Sequence, residues 1–251
     1  MSDSDFKLAK APIVEAVIEV DCDMPPGFEL AAMEKQAVDR FGDQYPNRRS
    51  QFVQEAIIET KANETPQMSV RQGVQSLLFL TADEKQLVQV RMQGFSFNRL
   101  APYTSLDAYL SEIKRTWDLF NGIVSPVQIR AVRLRYVNRI LLPSDPGNVR
   151  LEDYLKTGPR LPDEENLTLA GFFNQHAVVE PATGNQANIV MASQPRENGQ
   201  LPLIFDISVA RTGPAEPADW PWISDGIASL RRLKNRIFRN TLTNKCLNLF
   251  H

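Results

Sequence analysis

An α+β fold, with a curved antiparallel sheet packed by long helices, is predicted by three observations. Residues 127–142 form the longest strand-like run in the chain, rich in β-branched and aromatic residues and bounded by Pro126 and Pro143. Two segments have helical spacing: Leu106, Leu110, Ile113, Trp117 and Phe120 in one, and Ile223, Ile227, Leu230, Leu233, Ile237 and Phe238 in the other. The third observation is order. Residues 11–123 and 126–245 each read strand-helix-strand-strand-strand-helix, which points to a divergent duplication inside a single unit spanning 1–251.

The first strand, 11–22, puts Val14, Ala16, Ile18, Val20 and Cys22 on one face and Ile13, Glu15, Val17, Glu19 and Asp21 on the other. Pro25-Pro26-Gly27 turns the chain into a helix over 28–41, where Leu30, Met33, Ala37 and Phe41 keep helical spacing and Gly42 is the stop. Strands follow at 52–61, at 74–81 and, after the turn Asp83-Glu84-Lys85, at 86–95. The second helix opens on Thr104 with Asp107, a capping-box variant, and ends at Asn121-Gly122.

In the central strand Val127 and Ile129 share a face that continues, after a one-residue slip near Ala131, through Val132, Leu134, Tyr136, Ile140 and Leu142. A slip of that kind is a β-bulge. The opposite face carries Arg133, Arg135 and Arg139. A loop at 143–147, a short helix near 151–156 and a surface loop at 158–166 come next, then strands near 172–180, 187–193 and 201–210. A Pro/Ala/Gly-rich connection, 212–218, leads to the final helix, 220–240. Two such halves joined through their first strands would make a TATA-binding-protein-like saddle or a helix-grip-like pair, an analogy of fold that does not fix function.

Bulk properties narrow the classes. The chain is 43% hydrophobic and 23% charged with a formal net charge of −2, so no global field favours nucleic acid. No apolar run approaches the roughly 18 residues a membrane helix needs, and the acidic start Met1-Ser-Asp-Ser-Asp is unlike a secretory signal. Cys22 and Cys246, at opposite ends of the chain, read as free thiols of a cytoplasmic protein.

The opening Pro12-Ile13-Val14-Glu15-Ala16, the segment Phe95-Ser96-Phe97-Asn98-Arg99-Leu100 with Pro102-Tyr103, the run Leu134-Arg135-Tyr136-Val137-Asn138-Arg139-Ile140 and the stretch 238–242 together carry a resemblance. They are similar to a sporadically distributed prokaryotic family of uncharacterised proteins of about this length. The resemblance implies membership and a sporadic distribution, and brings no activity, catalytic residue or cofactor with it.

Two constellations are candidate binding sites. Arg133, Arg135 and Arg139, with Tyr136 and Asn138 on the same strand, would clamp a carboxylate or phosphate, since guanidinium groups bind both bidentately. The competing reading is a structural ladder in which Glu15 and Glu19 pair with these arginines across neighbouring first strands. Asn138 on an apolar face is conspicuous, because a buried amide needs partners. The final helix carries Arg231, Arg232, Lys234, Arg236 and Arg239, either a nucleic-acid or acidic-partner surface or a solvated face.

No catalytic residue, cofactor or metal set is predicted. His176 and His251 are too few for a tetrahedral zinc site with two isolated cysteines. Nucleophile-elbow, phosphate-loop and dinucleotide motifs are missing. The carboxylates Glu15, Glu19, Asp21, Glu55 and Glu59 suit a hard cation in type, but no spacing singles a site out. Trp220 and Trp222 are expected to staple the last helix to the sheet.

Three function classes follow. The favoured one is a non-enzymatic cytoplasmic binding or interaction protein, such as an adaptor in a mobile or defence-related gene set, with a protein partner or a second copy as partner. The second is a nucleic-acid binder using the basic last helix or the curved sheet, which requires an unpaired, exposed basic patch. The third is an enzyme with a pocket between sheet and long helices, using carboxylates or Arg139 with Tyr136.

Overall fold

The computed structural model describes residues 8–59, 67–143, 149–159 and 169–251. The chain start and most of the predicted loops at 143–147 and 158–166 fall outside these residues, as do the side chains of Glu55 and Glu59. The strands are β1 (Ile13–Asp23), β2 (Asn47–Glu59), β3 (Gln67–Leu80), β4 (Gln86–Arg91), β5 (Gly94–Leu100), β6 (Gln128–Pro143), β7 (Phe173–Val179), β8 (Gln186–Ser193) and β9 (Gln200–Ala215). The helices are α1 (Leu30–Phe41), α2 (Leu110–Val124), α3 (Trp220–Thr241) and the short α4 (Asn244–Leu247). The fold is α+β. All nine strands form one curved antiparallel sheet in the order β2-β3-β4-β5-β1-β6-β9-β8-β7.

Alternation explains which face is covered. Phe79, Val88, Phe97, Ile18, Leu134 and Val209 lie opposite one another on successive strands and form a continuous apolar row. The helices pack on that row's side. Phe41 of α1 meets Phe79 with ring centroids 5.2 Å apart, Trp117 of α2 meets Phe95 at 5.7 Å, and Phe238 of α3 stacks on Phe205 at 5.7 Å. Among the described residues no helix packs on the other face, which carries Glu15, Glu19, Asp21, Arg133, Arg135 and Arg139 between the strands' apolar residues. Among the described residues no helix is long and apolar enough to cross a membrane.

The slip expected near Ala131 is present. Against β1 the ladder passes from Ala131 directly to Ile129 while β1 advances only from Asp21 to Cys22, which leaves Arg130 as the extra residue of a bulge. Against β9 the extra residue is on the other strand, where Gly213 and Pro214 face Arg130 alone. A second register shift, between Ile13 and Glu15 of β1, brings Ile13 opposite Asn138. It turns Ile13 toward the helix-covered side, contrary to the simple alternation of the sequence.

Three strands are longer than expected, since β2 begins at Asn47, β3 at Gln67, and β9 runs to Ala215 through most of the predicted connection, and three other elements differ in kind or start. The predicted strand 86–95 is a hairpin, because the chain reverses at Met92 and Gln93 and re-enters as β5 at Gly94. Gly94 has φ 141, a conformation side chains oppose, so glycine makes this re-entry available. The helix predicted near 151–156 is a single 3-10 turn at Leu151–Asp153. The helix predicted to open at Thr104 starts at Leu110, since the Thr104 hydroxyl bonds the Tyr109 hydroxyl, 3.0 Å away, and not a backbone amide. At its other end α2 runs past Gly122 to Val124. It stops where Ser125 turns left-handed (φ 50) ahead of Pro126.

Candidate ligand-binding site

The strand arginines separate from their neighbours by alternation. Arg133, Arg135 and Arg139 lie on the helix-free face, whereas Tyr136 and Asn138 point to the helices. On the helix-free face each arginine meets a carboxylate: Arg133 donates to Asp21 at 2.7 Å, Arg135 grips Asp206 through two nitrogens at 2.6 and 3.0 Å, and Arg139 pairs with Glu197 and Gln194. Arg91 of β4 extends this row by donating to Glu19 at 2.9 Å and to Asp21 at 3.0 Å. The partners are thus not the Glu15 and Glu19 pairings expected from β1. Glu19 serves Arg91, and Glu15 accepts from Asn98 at 2.7 Å.

The basic residues of α3 also part company. Arg236 pairs with Glu180, Arg231 donates to Asp107 at 2.7 Å, and Arg232 is exposed. Arg239 is half-buried and engaged. Lys245 beyond the helix pairs with Asp153 at 2.9 Å. Trp222 lies under the Arg211 guanidinium at 4.4 Å, which ties the start of α3 to β9. His176 is exposed on the edge strand β7.

What the structure brings together is a set drawn from both constellations. A cavity of about 310 Å3 lies between α3, the irregular stretch 103–107 and the β1–β6 pair. Tyr136, Asn138 and Arg231 line it with Tyr103, Asp107, Lys234 and Asn235, over apolar walls that include Ile13, Leu106 and Phe238. This volume is at the lower end of small-molecule pockets, roughly 300–1,000 Å3. A larger space, about 590 Å3, adjoins stretches outside the described residues, and the pair Arg150 and Glu152 on its wall is closed on itself at 3.1 Å.

Each polar group of the smaller cavity has a structural reason for its position. Arg231, Lys234, Asn235 and Phe238 fall at i, i+3, i+4 and i+7 of α3 and share one stripe. The helix is fixed at its start by the Asp219 side chain, which accepts from the amide of Trp222 at 3.0 Å. The Tyr136 and Tyr103 hydroxyls share a 2.8 Å hydrogen bond, and the two rings meet edge to face at 5.6 Å. The Lys234 ammonium sits 4.0 Å from the centre of the Tyr136 ring. Asn138 donates to the carbonyls of Phe205, at 2.9 Å, and Tyr136, which identifies its nitrogen and leaves its Oδ1 with no donor among the described residues. Asn235, 9% exposed, makes no side-chain hydrogen bond among them.

Both phenols keep their protons. Burial pushes Tyr136 up to about 12, and burial together with the neighbouring Tyr136 raises Tyr103 further. Tyr45, buried against the Glu112 carboxylate, is raised as well. An ordinary tyrosine ionises near pH 10. The folded state therefore holds these protons where the unfolded chain has begun to release them. The associated stability is fully present below pH 10 and falls as pH rises from 10 to 12. We expect the urea midpoint to be level from pH 8 to 9.5 and to drop above pH 10, losing roughly 2 kcal/mol by pH 12 for Tyr136. A midpoint unchanged at pH 11 would contradict the burial of these hydroxyls.

Sequence reasoning missed Asn235, Tyr103 and Asp107. Asn235 had a readable signal, a lone amide within the apolar stripe of the last helix. Tyr103 and Asp107 had none, because they reach the cavity through a loop read as the first turn of a helix.

No protein-family model and no curated protein matches the chain. Among solved structures, that of DynU16, a protein in the dynemicin biosynthetic locus, aligns with 94% of this chain and 96% of its own at 12% identity, with a TM-score of 0.22.

Proposed function

We propose that this is a non-enzymatic binding protein whose ligand is a small molecule held between α3, the 103–107 stretch and the β1–β6 pair. The observation that carries this reading is the convergence of two phenols, two amides and two cations on one cavity with apolar walls. The protonation of these groups favours binding over catalysis. General acid–base work requires a group that titrates near the working pH, whereas burial moves both phenols away from it and the Asp107 carboxylate holds Arg231 more firmly protonated. On α3, Arg236 pairs with Glu180 and Arg231 lines the cavity, so neither joins the exposed Arg232 in an unpaired basic patch of the kind a nucleic-acid surface requires.

Membership of the prokaryotic family and a cytoplasmic setting belong to the same proposal. Cys22 and Cys246 are buried free thiols, both pushed up to about 12 by burial, and such thiols suit a reducing compartment.

Titrating isotope-labelled protein with a fragment library tests the reading by amide chemical shifts. Bound fragments should shift residues 103–107, 136–138 and 231–238 together. A library whose hits all map elsewhere, or that yields none, would overturn it.

A further inference from the structure

Resting on the reading of the cavity as a ligand site, we infer that its ligand is a small organic carboxylate: an acid group held by Arg231 at the mouth, an apolar body inside, and a hydrogen-bonding group at the inner end. Three unspent capacities motivate this. The first belongs to Arg231. A guanidinium has five N–H donors in a planar fork that matches a carboxylate bidentately. Here the Asp107 carboxylate takes one of them, at 2.7 Å, and Asp107 is itself 63% exposed while Arg231 is 35% exposed. A pair so open to water is held weakly, so an incoming carboxylate competes for the fork on favourable terms.

The second capacity is the leftover phenol proton. Tyr103 and Tyr136 have one hydroxyl proton each and share one hydrogen bond, so one O–H remains to be given to an acceptor. Buried phenols that keep their protons at neutral pH serve as donors to an oxygen-bearing ligand.

The third is the pair of amides. Asn235 is nine-tenths buried and unpartnered among the described residues, and Asn138 offers its Oδ1 after spending its nitrogen on the Phe205 carbonyl. Buried polar groups normally have partners. Two amides left open on one cavity wall fit a ligand that both donates and accepts there, as a hydroxyl or a carboxamide does. Ile13, Leu106 and Phe238 between these ends are apolar and suit a ring or a short alkyl body.

Asp107 has a definite role in this arrangement. It is the resident counter-ion that a ligand must displace, so it sets affinity without touching the ligand's apolar body. Its removal frees the fork.

The test is calorimetric titration with matched acids and amides, namely 4-hydroxyphenylacetate against 4-hydroxyphenylacetamide and hexanoate against hexanamide. Wild-type protein should bind each acid at least about tenfold more tightly than its amide, the difference expected of a charge-assisted contact. Arg231→Gln should abolish that preference by weakening the acids to the level of their amides, while Asp107→Asn should widen it by tightening the acids relative to their amides. Acids and amides bound equally, with shifts still mapping to the cavity, would overturn the carboxylate assignment and leave the site standing. Failure of every probe to shift residues 103–107, 136–138 and 231–238 would remove the site itself, and the assignment with it.

Discussion

Gly94→Ala should lower the unfolding free energy by about 4 kcal/mol, near the upper end of what one substitution does. Gly94 opens β5 opposite Asp21 of the central strand β1. A Cβ built there would lie 2.0 Å from the Val20 carbonyl oxygen and 3.1 Å from the Asp21 Cα. These neighbours are backbone, so no rotamer change relieves the contact. The φ of 141 opposes any side chain independently. Separation of β5 from β1 would also uncover Phe95 and Phe97, both fully buried. Urea unfolding measures the loss, and a change under about 1 kcal/mol would mean that the close approach is not present.

Trp117→Ala should destabilise by about 3 to 5 kcal/mol through the cavity it leaves. Trp117 is 1% exposed, stacks on Phe120 at 5.3 Å and meets Phe95 edge to face at 5.7 Å. Its indole N–H also donates to the carbonyl of Pro217 at 3.1 Å, the acceptor that Asn121 reaches at 2.9 Å. The residue thus does two things: it fills the core beneath α2, and it pins the connection that leads into α3. Trp117→Phe separates the two, since it keeps most of the volume and removes the donor. It should cost about 1 kcal/mol, because Asn121 still satisfies the carbonyl. Equal losses in both variants would assign the stability to the hydrogen bond and refute the packing account.

How far the sequence can be read depends on how local each feature is. The apolar stripes of α3 and of α2 from Leu110 on, and the alternation of β1 from Glu15 and of β6 from Ile129, are periodic patterns found where their period placed them, whereas Leu106, Ile13 and Val127 at the edges of these patterns are not. The bulge at Arg130 was visible because it interrupts such a pattern. The β4–β5 hairpin was not, since Met92-Gln93-Gly94 continues an apparent alternation and the reversal depends on backbone contact with Val20. The start of α2 was misread because Thr104 and Asp107 satisfy a capping rule, yet spend their side chains on Tyr109 and Arg231.

The site was half legible for the same reason. Tyr136 and Asn138 were singled out by the strand and Arg231 by the helix, but nothing local states that they meet. The strand arginines were expected to find carboxylates across the sheet. They do, but mainly on Asp21, Asp206 and Glu197, because register and neighbouring strands choose the partner and composition does not.

The central position of β1 has a consequence for biosynthesis. Asp21 is 112 residues from Arg133 in sequence, and Glu15 is 83 residues from Asn98. A ribosome adding roughly 5 to 20 residues per second therefore leaves this eleven-residue strand with both edges open for several seconds or more. Bare strand edges invite pairing with other chains. Glu15, Glu19, Asp21 and Asp23 put four carboxylates on that strand, and charge of this kind on an open edge opposes pairing with other chains. Asp21 and Asp23 later neutralise arginines of β6, and Glu19 one of β4. The carboxylates that make the bare strand a poor partner for other chains are thus the ones that fasten it to β4 and β6 in the folded sheet.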